Sequence, residues 1–177
     1  MIGWLIIACE IGFWVFVLAG LGARYIWNKK KLGAFLLICT PIVDLILLIV
    51  TVFDLKNGSI ATAFHGMAAI YIGVSVAFGP QMIQWADERF NYRFRNGNKP
   101  VKIKYGVAHA KKERNKWYRH LLAWFIGGII FTGIILYINN NPQTEALQRT
   151  MLLWSGVLVI DFMISFSYTL VPKKQKA

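Results

Sequence analysis

Residues Leu32–Phe53 read LGAFLLICTPIVDLILLIVTVF. A hydrocarbon core of roughly 30 Å is crossed by about 20 helical residues, and this stretch has that length. Asp44 is its only charged residue, and Thr40, Pro41 and Thr51 break an otherwise apolar run. A helix on the surface of a soluble domain shows a full polar face to water. No such face exists here, so the solvent this stretch is built for is lipid, and Asp44 becomes the residue to explain.

The pattern recurs along the chain. Apolar spans are predicted at Ile2–Leu21, Leu32–Phe53, Ile60–Gln84, Leu121–Ile138 and Met151–Val171. The chain is 56% hydrophobic yet has a net charge of +12, because the basic residues are concentrated between the spans. The expected fold is all-α: a polytopic membrane protein, a bundle of five transmembrane helices with a basic cytoplasmic loop, with residues 1–177 forming a single membrane domain. The first span is read as a retained helix, not a cleaved signal. It has no basic n-region, it carries Glu10, and it ends in a basic patch. Cys9 and Cys39 both fall inside spans, and neither a disulfide nor a metal site is expected of them.

Basic residues near helix ends set orientation. With the N-terminus outside and the C-terminus in the cytoplasm, Lys56 and Arg149 are external and the other 18 of the 20 Lys and Arg residues are internal. The opposite orientation inverts that bias. Asp54–Ser59 is read as a tight outer turn with Asn-Gly chemistry, and Asn139–Arg149 as an outer loop in which Thr144 caps the last helix. Gly79-Pro80 is expected to bend the third span without ending it.

The loop Ala86–His120 sets Phe90, Tyr92 and Phe94 beside Arg89, Arg93 and Arg95. Aromatic and basic residues so interleaved can stack on single-stranded nucleic acid. Between two membrane helices the simpler account is contact with anionic lipid headgroups at the cytoplasmic face, worth about 1 kcal/mol per basic residue. Arg89, Arg93 and Arg95 are the expected headgroup ligands, and no nucleic-acid partner is expected. A protein partner or a second copy of the chain is the alternative use of this surface. Residues 108–117 are read as an amphipathic helix entering the fourth span, with His109 and His120 solvated or interfacial.

Three of the eight acids, Glu10, Asp44 and Asp161, lie inside spans. An aspartate at a helix centre costs roughly 2.5–3.5 kcal/mol on insertion scales, so such residues tend to face other helices or water. At 1.5 Å per residue from the outer end of each span, their depths are about 12, 14 and 15 Å, close to the midplane. Thr40, Asp44, Thr51 and Asp54 fall on one stripe of the second span, and Trp154, Asp161, Ser165 and Tyr168 share a face of the fifth. His65 lies on the side of the third span that carries Ala61, Ala68, Ala69 and Ile72. That span is rich in small residues, which let helices approach closely. GGIIFTG (Gly127–Gly133) offers a second close-contact surface. The acids serve either as protonated glue between helices or as an ion site. Thr40-Pro41 can also begin a half-helix with Asp44 in its first turn.

The string CEIGFW…LGARY…TPIVDL…HGMAAIYIGVSVAFG…WADERF, from Cys9 to about Phe94, resembles a group of small bacterial integral membrane proteins of unknown function, the YmcC-like proteins. The resemblance implies a bacterial plasma membrane. It carries over no activity, substrate or catalytic residue.

Three function classes follow. The leading expectation is a plasma-membrane protein with a polar intramembrane site that binds or moves a proton, a cation or a small cationic solute. Asp44, Asp161 and Glu10 are then the site acids, His65 an outer proton relay, and Thr40 and Asp54 their polar neighbours. The second is an accessory or scaffold subunit that docks through the basic loop. The third is a lipid-modifying enzyme. No H-E-x-x-H, G-x-S-x-G, P-loop or Rossmann pattern is present, so no catalytic residue, metal or cofactor is expected.

Overall fold

In the computed structural model, residues 2–94, 98–99, 103 and 105–171 are described. Five helices follow in order: α1 (Ile2–Tyr25), α2 (Lys30–Lys56), α3 (Ala63–Phe94), α4 (Gly106–Ile138) and α5 (Asn141–Leu170). All five are long and apolar enough to cross a membrane, and the protein is an all-α, multi-pass membrane protein. Two helices are much longer than the apolar spans. α3 continues to Phe94 and α4 begins at Gly106, so most of Ala86–His120 is helix and not loop. Residues 108–117 form the amphipathic start of α4, as the sequence reading expects.

The residues fall into two compact units. The first comprises Met1–Ile72 and Ile126–Thr150, the second Gly73–Phe125 and Met151–Ala177.

Within the first unit α1 and α2 form a hairpin. Asn28 makes the turn at φ 55°, a left-handed conformation that Asn tolerates better than most residues. The backbones of the two helices nearly touch at Gly20 and Gly33. A Cβ added at Gly33 would lie 2.7 Å from the Gly20 carbonyl oxygen and 2.8 Å from Arg24 Cβ. Farther along, Phe13 stacks on Tyr71 of α3, with ring centroids 5.8 Å apart. Gly66 of α3 packs against Phe131 of α4 and Thr150 of α5. In the GGIIFTG segment Gly127 and Gly128 are buried, whereas Gly133 faces open space.

The buried face of α2 is Gly33, Thr40, Asp44, Leu47, Thr51 and Leu55. These recur every three or four residues, with one step of seven, and form one stripe. The long aliphatic residues between them, Leu45, Ile46 and Ile49, are exposed. The helix is thus largely inverted relative to a soluble one: its polar residues turn inward beside Leu47 and Leu55, and most of its long apolar residues turn outward. Pro41 does not interrupt it, and α2 is continuous from Lys30 to Lys56, so the half-helix expected to begin at Thr40-Pro41 does not form. The reason is local. Pro41 has no N–H to give the Leu37 carbonyl one turn back, and Thr40 Oγ1 donates to that carbonyl at 2.8 Å instead. Hydroxyl side chains commonly re-satisfy backbone groups in this way in lipid.

α2 ends as its sequence suggests. Gly58 takes φ 94°, the Ser59 N–H donates to the Asp54 carbonyl at 3.3 Å and the Gly58 N–H to that of Leu55 at 3.1 Å. This is the Schellman arrangement, which glycine favours because it lacks a Cβ. The expected outer loop at Asn139–Arg149 is almost all helix. Asn139, at φ 49°, and Asn140 are the whole link, and the Asn140 Oδ1 accepts the Gln143 N–H at 3.4 Å. Asn140 is therefore the cap of α5. Thr144 lies inside the helix with its hydroxyl bonded back to the Asn140 carbonyl at 3.0 Å.

Thr40→Val should lower the stability of purified protein in detergent by about 1–3 kcal/mol, the cost of stranding a buried carbonyl. In a Pro41→Ala background the new alanine supplies the missing N–H, and the same substitution should then be nearly neutral. Unfolding midpoints of the four proteins check this; an equal loss in both backgrounds would refute the Thr40–Leu37 account.

Candidate functional site

The second unit holds a run of polar contacts between α4 and α5. Trp117, His120 and Trp124 stand at i, i+3 and i+7 on α4 and so share a face. Each finds a polar partner on α5. The Trp117 indole N–H donates to the Leu158 carbonyl at 3.3 Å. That of Trp124 donates to Ser155 Oγ at 2.9 Å, and Ser155 in turn donates to the Met151 carbonyl at 2.8 Å. One turn before Trp117, Arg114 donates to Thr169 Oγ1 at 3.0 Å. In the middle of this ladder, His120 Nδ1 lies 2.6 Å from Asp161 Oδ2.

A nitrogen and an oxygen at that separation share one proton. Either the ring N–H donates to a carboxylate or a carboxylic acid donates to the ring, and the first is a charge-assisted bond of the stronger class. Such pairing offsets much of the cost of an ionisable group among membrane helices. It opens on a cavity of about 330 Å³, at the small end of ligand-site volumes. The other walls are apolar: Val74, Phe78 and Met82 from α3, Ala123 from α4, and Trp154, Val157 and Leu158 from α5. The His120 ring rests against Phe78 with centroids 4.8 Å apart. The adjacent Arg119 turns to α3 and donates to the Ala77 carbonyl at 3.3 Å. That carbonyl is next to the one Pro80 leaves without its helix donor, and α3 runs unbroken through Pro80.

The sequence reading sets His120 as solvated or interfacial; in the structure its side chain is 45% exposed and is at the same time the partner of Asp161. The sequence signal for this role is the i, i+3, i+7 spacing with two tryptophans, which continues the α4 face one residue upstream of the apolar run. His109 is largely covered, with 15% of its side chain exposed. Its ring packs on Tyr168 with centroids 4.9 Å apart, and its Nδ1 lies 3.8 Å from Glu113 Oε1. On α5 the predicted face holds together. Trp154 and Asp161 line the cavity, Ser165 is buried and Tyr168 meets His109.

The first unit carries a second polar cluster. His65 is buried in the first turn of α3. The Thr62 backbone N–H donates to its Nδ1 at 2.9 Å. A backbone N–H can only donate, so Nδ1 accepts, and the ring proton sits on Nε2 in the neutral form. Nε2 faces Asp54 Oδ2 at 3.3 Å, and Asp54 Oδ1 accepts from Ser59 Oγ at 2.8 Å. Thr62 precedes α3 and His65 is the third residue of the helix, the position from which Glu or Gln reaches back in a capping box. His65 plays that part and ties the start of α3 to the end of α2.

The remaining site candidates are placed as follows. Asp44 is 2% exposed and Thr40 7%, both on the inward stripe of α2. Asp44 and Asp161 belong to different units. The side chain of Glu10 and the whole of Arg95 lie outside the described residues. Arg89 sits over the Trp85 ring, 5.0 Å from its centroid, and Arg93 is exposed, near the stacked rings of Phe90 and Phe94. Among the described residues, no group of three His, Cys, Asp or Glu side chains is placed to hold a metal ion.

No family model matches the chain, and no solved structure matches it. Among curated proteins, the chain is 49% identical over 177 residues to the "Uncharacterized membrane protein YmcC" of Bacillus subtilis (strain 168), an alignment that covers 99% of this chain and 95% of that protein.

If His65 is a cap, His65→Gln should keep the bond to the Thr62 N–H and leave stability within about 0.5 kcal/mol of the parent. His65→Ala should cost about 1–2 kcal/mol, as lost caps do. Thermal or denaturant unfolding of both variants checks the order, and equal losses would remove the capping role.

Proposed function

This chain belongs to the YmcC-like family of membrane proteins, and we propose that it binds and exchanges a proton or a monovalent cation at the Asp161–His120 pair. The observation that carries this reading is the 2.6 Å contact between carboxylate and imidazole at the wall of an otherwise apolar cavity. A structural contact alone does not call for a cavity beside it. Ionisable residues within membrane helices are rare and mark ion or proton pathways, and imidazole is the side chain whose charge changes most readily near neutral pH. Asp44, buried on α2, is a second carboxyl of the same kind, proposed as a further proton site of the first unit.

The orientation proposed for this function has the N-terminus outside and the C-terminus in the cytoplasm of a bacterial plasma membrane. Its support is that five alternating spans would put 18 of the 20 Lys and Arg residues on the cytoplasmic side. Arg89 and Arg93, with Trp85 and Phe94, then form a cytoplasmic collar on anionic lipid headgroups. Cysteines introduced singly at Asn57 or Asn140, in a protein lacking Cys9 and Cys39, should react with an impermeant thiol reagent in intact cells. A cysteine at Asn98 should not. Labelling at Asn98 would reverse the orientation or change the number of spans.

Purified protein in liposomes with an imposed pH gradient should dissipate that gradient in the presence of permeant test cations faster than protein-free vesicles do. Asp161→Asn keeps size and a hydrogen-bonding group, so it should still insert and fold, and return flux to the protein-free leak. Undiminished flux through Asp161→Asn, or none through the parent, would overturn the reading.

A further inference from the structure

Resting on the proposed exchange at Asp161, we propose that the ligand of this cavity is a lipophilic organic monocation, one positive charge on an aromatic or branched apolar body, taken up in exchange for a proton. The donor set argues against a bare metal ion. The cavity walls bring one carboxylate and one imidazole, and no cluster of three potential ligands occurs among the described residues. Calcium takes about 6–8 oxygen ligands and magnesium about six, so either ion would stay largely hydrated here and gain nothing from the apolar walls. An organic cation brings its own apolar surface. Val74, Met82, Val157 and Leu158 can bury that surface, while the rings of Trp154 and Phe78 can receive the charge, an attraction that strengthens as the site is desolvated. A single carboxylate then matches a single charge, and a cavity of about 330 Å³ suits a body of one or two rings.

The exchange balances in charge. With the ring protonated, the His120 imidazolium and the Asp161 carboxylate are together neutral. The incoming cation takes the place of the imidazolium beside the carboxylate, the ring proton leaves to solvent, and His120 remains as a neutral imidazole. The site is neutral before and after. Above the pH at which the pair loses its proton, the cation binds without releasing one. Below it, binding requires release, and affinity should fall about tenfold per pH unit. His120 on α4 and Asp161 on α5 are the only titratable groups among the cavity-lining residues; α3 contributes Val74, Phe78 and Met82. The neighbouring charge on α4, Arg119, is engaged on the Ala77 carbonyl.

The test is calorimetric titration of the detergent-purified full chain with benzyltrimethylammonium, and separately with sodium, potassium and magnesium chlorides. Each titration is run at several pH values in two buffers of different ionisation enthalpy. The expected result is saturable binding of the organic cation only, with one proton released per cation at low pH and about tenfold weaker binding per pH unit there. Asp161→Asn should abolish binding. His120→Gln, which can still donate to Asp161, should bind without proton release, and Trp154→Leu should weaken the organic cation. Binding that is equal in Asp161→Asn would mean simple partition into an apolar cleft, and would overturn the proposal. If the inorganic ions release the proton and the organic cation does not, the ligand class is wrong and exchange at Asp161 stands. If the pair binds a proton and no cation of either kind, the cation is wrong and only the proton site stands. If neither proton nor cation binds, both fail.

Discussion

Hydrocarbon offers no hydrogen bonds, so every polar group that enters it must be satisfied by the protein itself. Much else in this chain follows from that constraint. For long continuous apolar runs it favours helices, which satisfy their backbone within one segment. It also inverts the usual packing. On α2 Leu45, Ile46 and Ile49 face outward, and glycine, threonine and aspartate face inward beside Leu47 and Leu55. Inside, apolar contact with lipid tails is no worse than apolar contact with protein, so close approach and polar bonds hold helices together. The near-contact of backbones at Gly20 and Gly33 is one form of this glue. The Thr40 hydroxyl on the Leu37 carbonyl is another, and it lets a proline sit within an unbroken helix.

The polar ladder between α4 and α5 is the same constraint met by side chains. Indole N–H groups, a hydroxyl and a guanidinium each end on an acceptor. Most of these rungs join groups that keep one charge state near neutral pH. The rung between His120 and Asp161 differs, since its charge depends on the proton it holds and it opens on a cavity. The Asp54–His65–Thr62 cluster uses similar residue types for another end. There the geometry closes on the backbone N–H of Thr62, so the imidazole is occupied on both sides and serves the joint between α2 and α3.

One-dimensional properties of the chain carry a good part of this structure. Hydropathy over the length of a membrane core locates all five helices, and the charge bias proposes an orientation. Periodicity places Thr40, Asp44 and Thr51 on one buried stripe and Trp154, Asp161, Ser165 and Tyr168 on one face. Asn57-Gly58 announces the end of α2 because a glycine at positive φ is a local requirement.

The remainder depends on how the helices pack. Hydropathy detects where lipid ends and says nothing of where a helix ends. The fourth span therefore reads from Leu121, one residue past His120, although α4 begins at Gly106. For the same reason Asn139–Arg149 reads as a loop when two asparagines suffice for the turn. The partner of a buried acid is a matter of distance across helices, and sequence separation does not encode it. Asp161 meets His120, 41 positions away. His65 likewise finds Asp54 and a backbone N–H. A carboxylate in lipid needs a proton or a donor, and packing alone selects which neighbour supplies it.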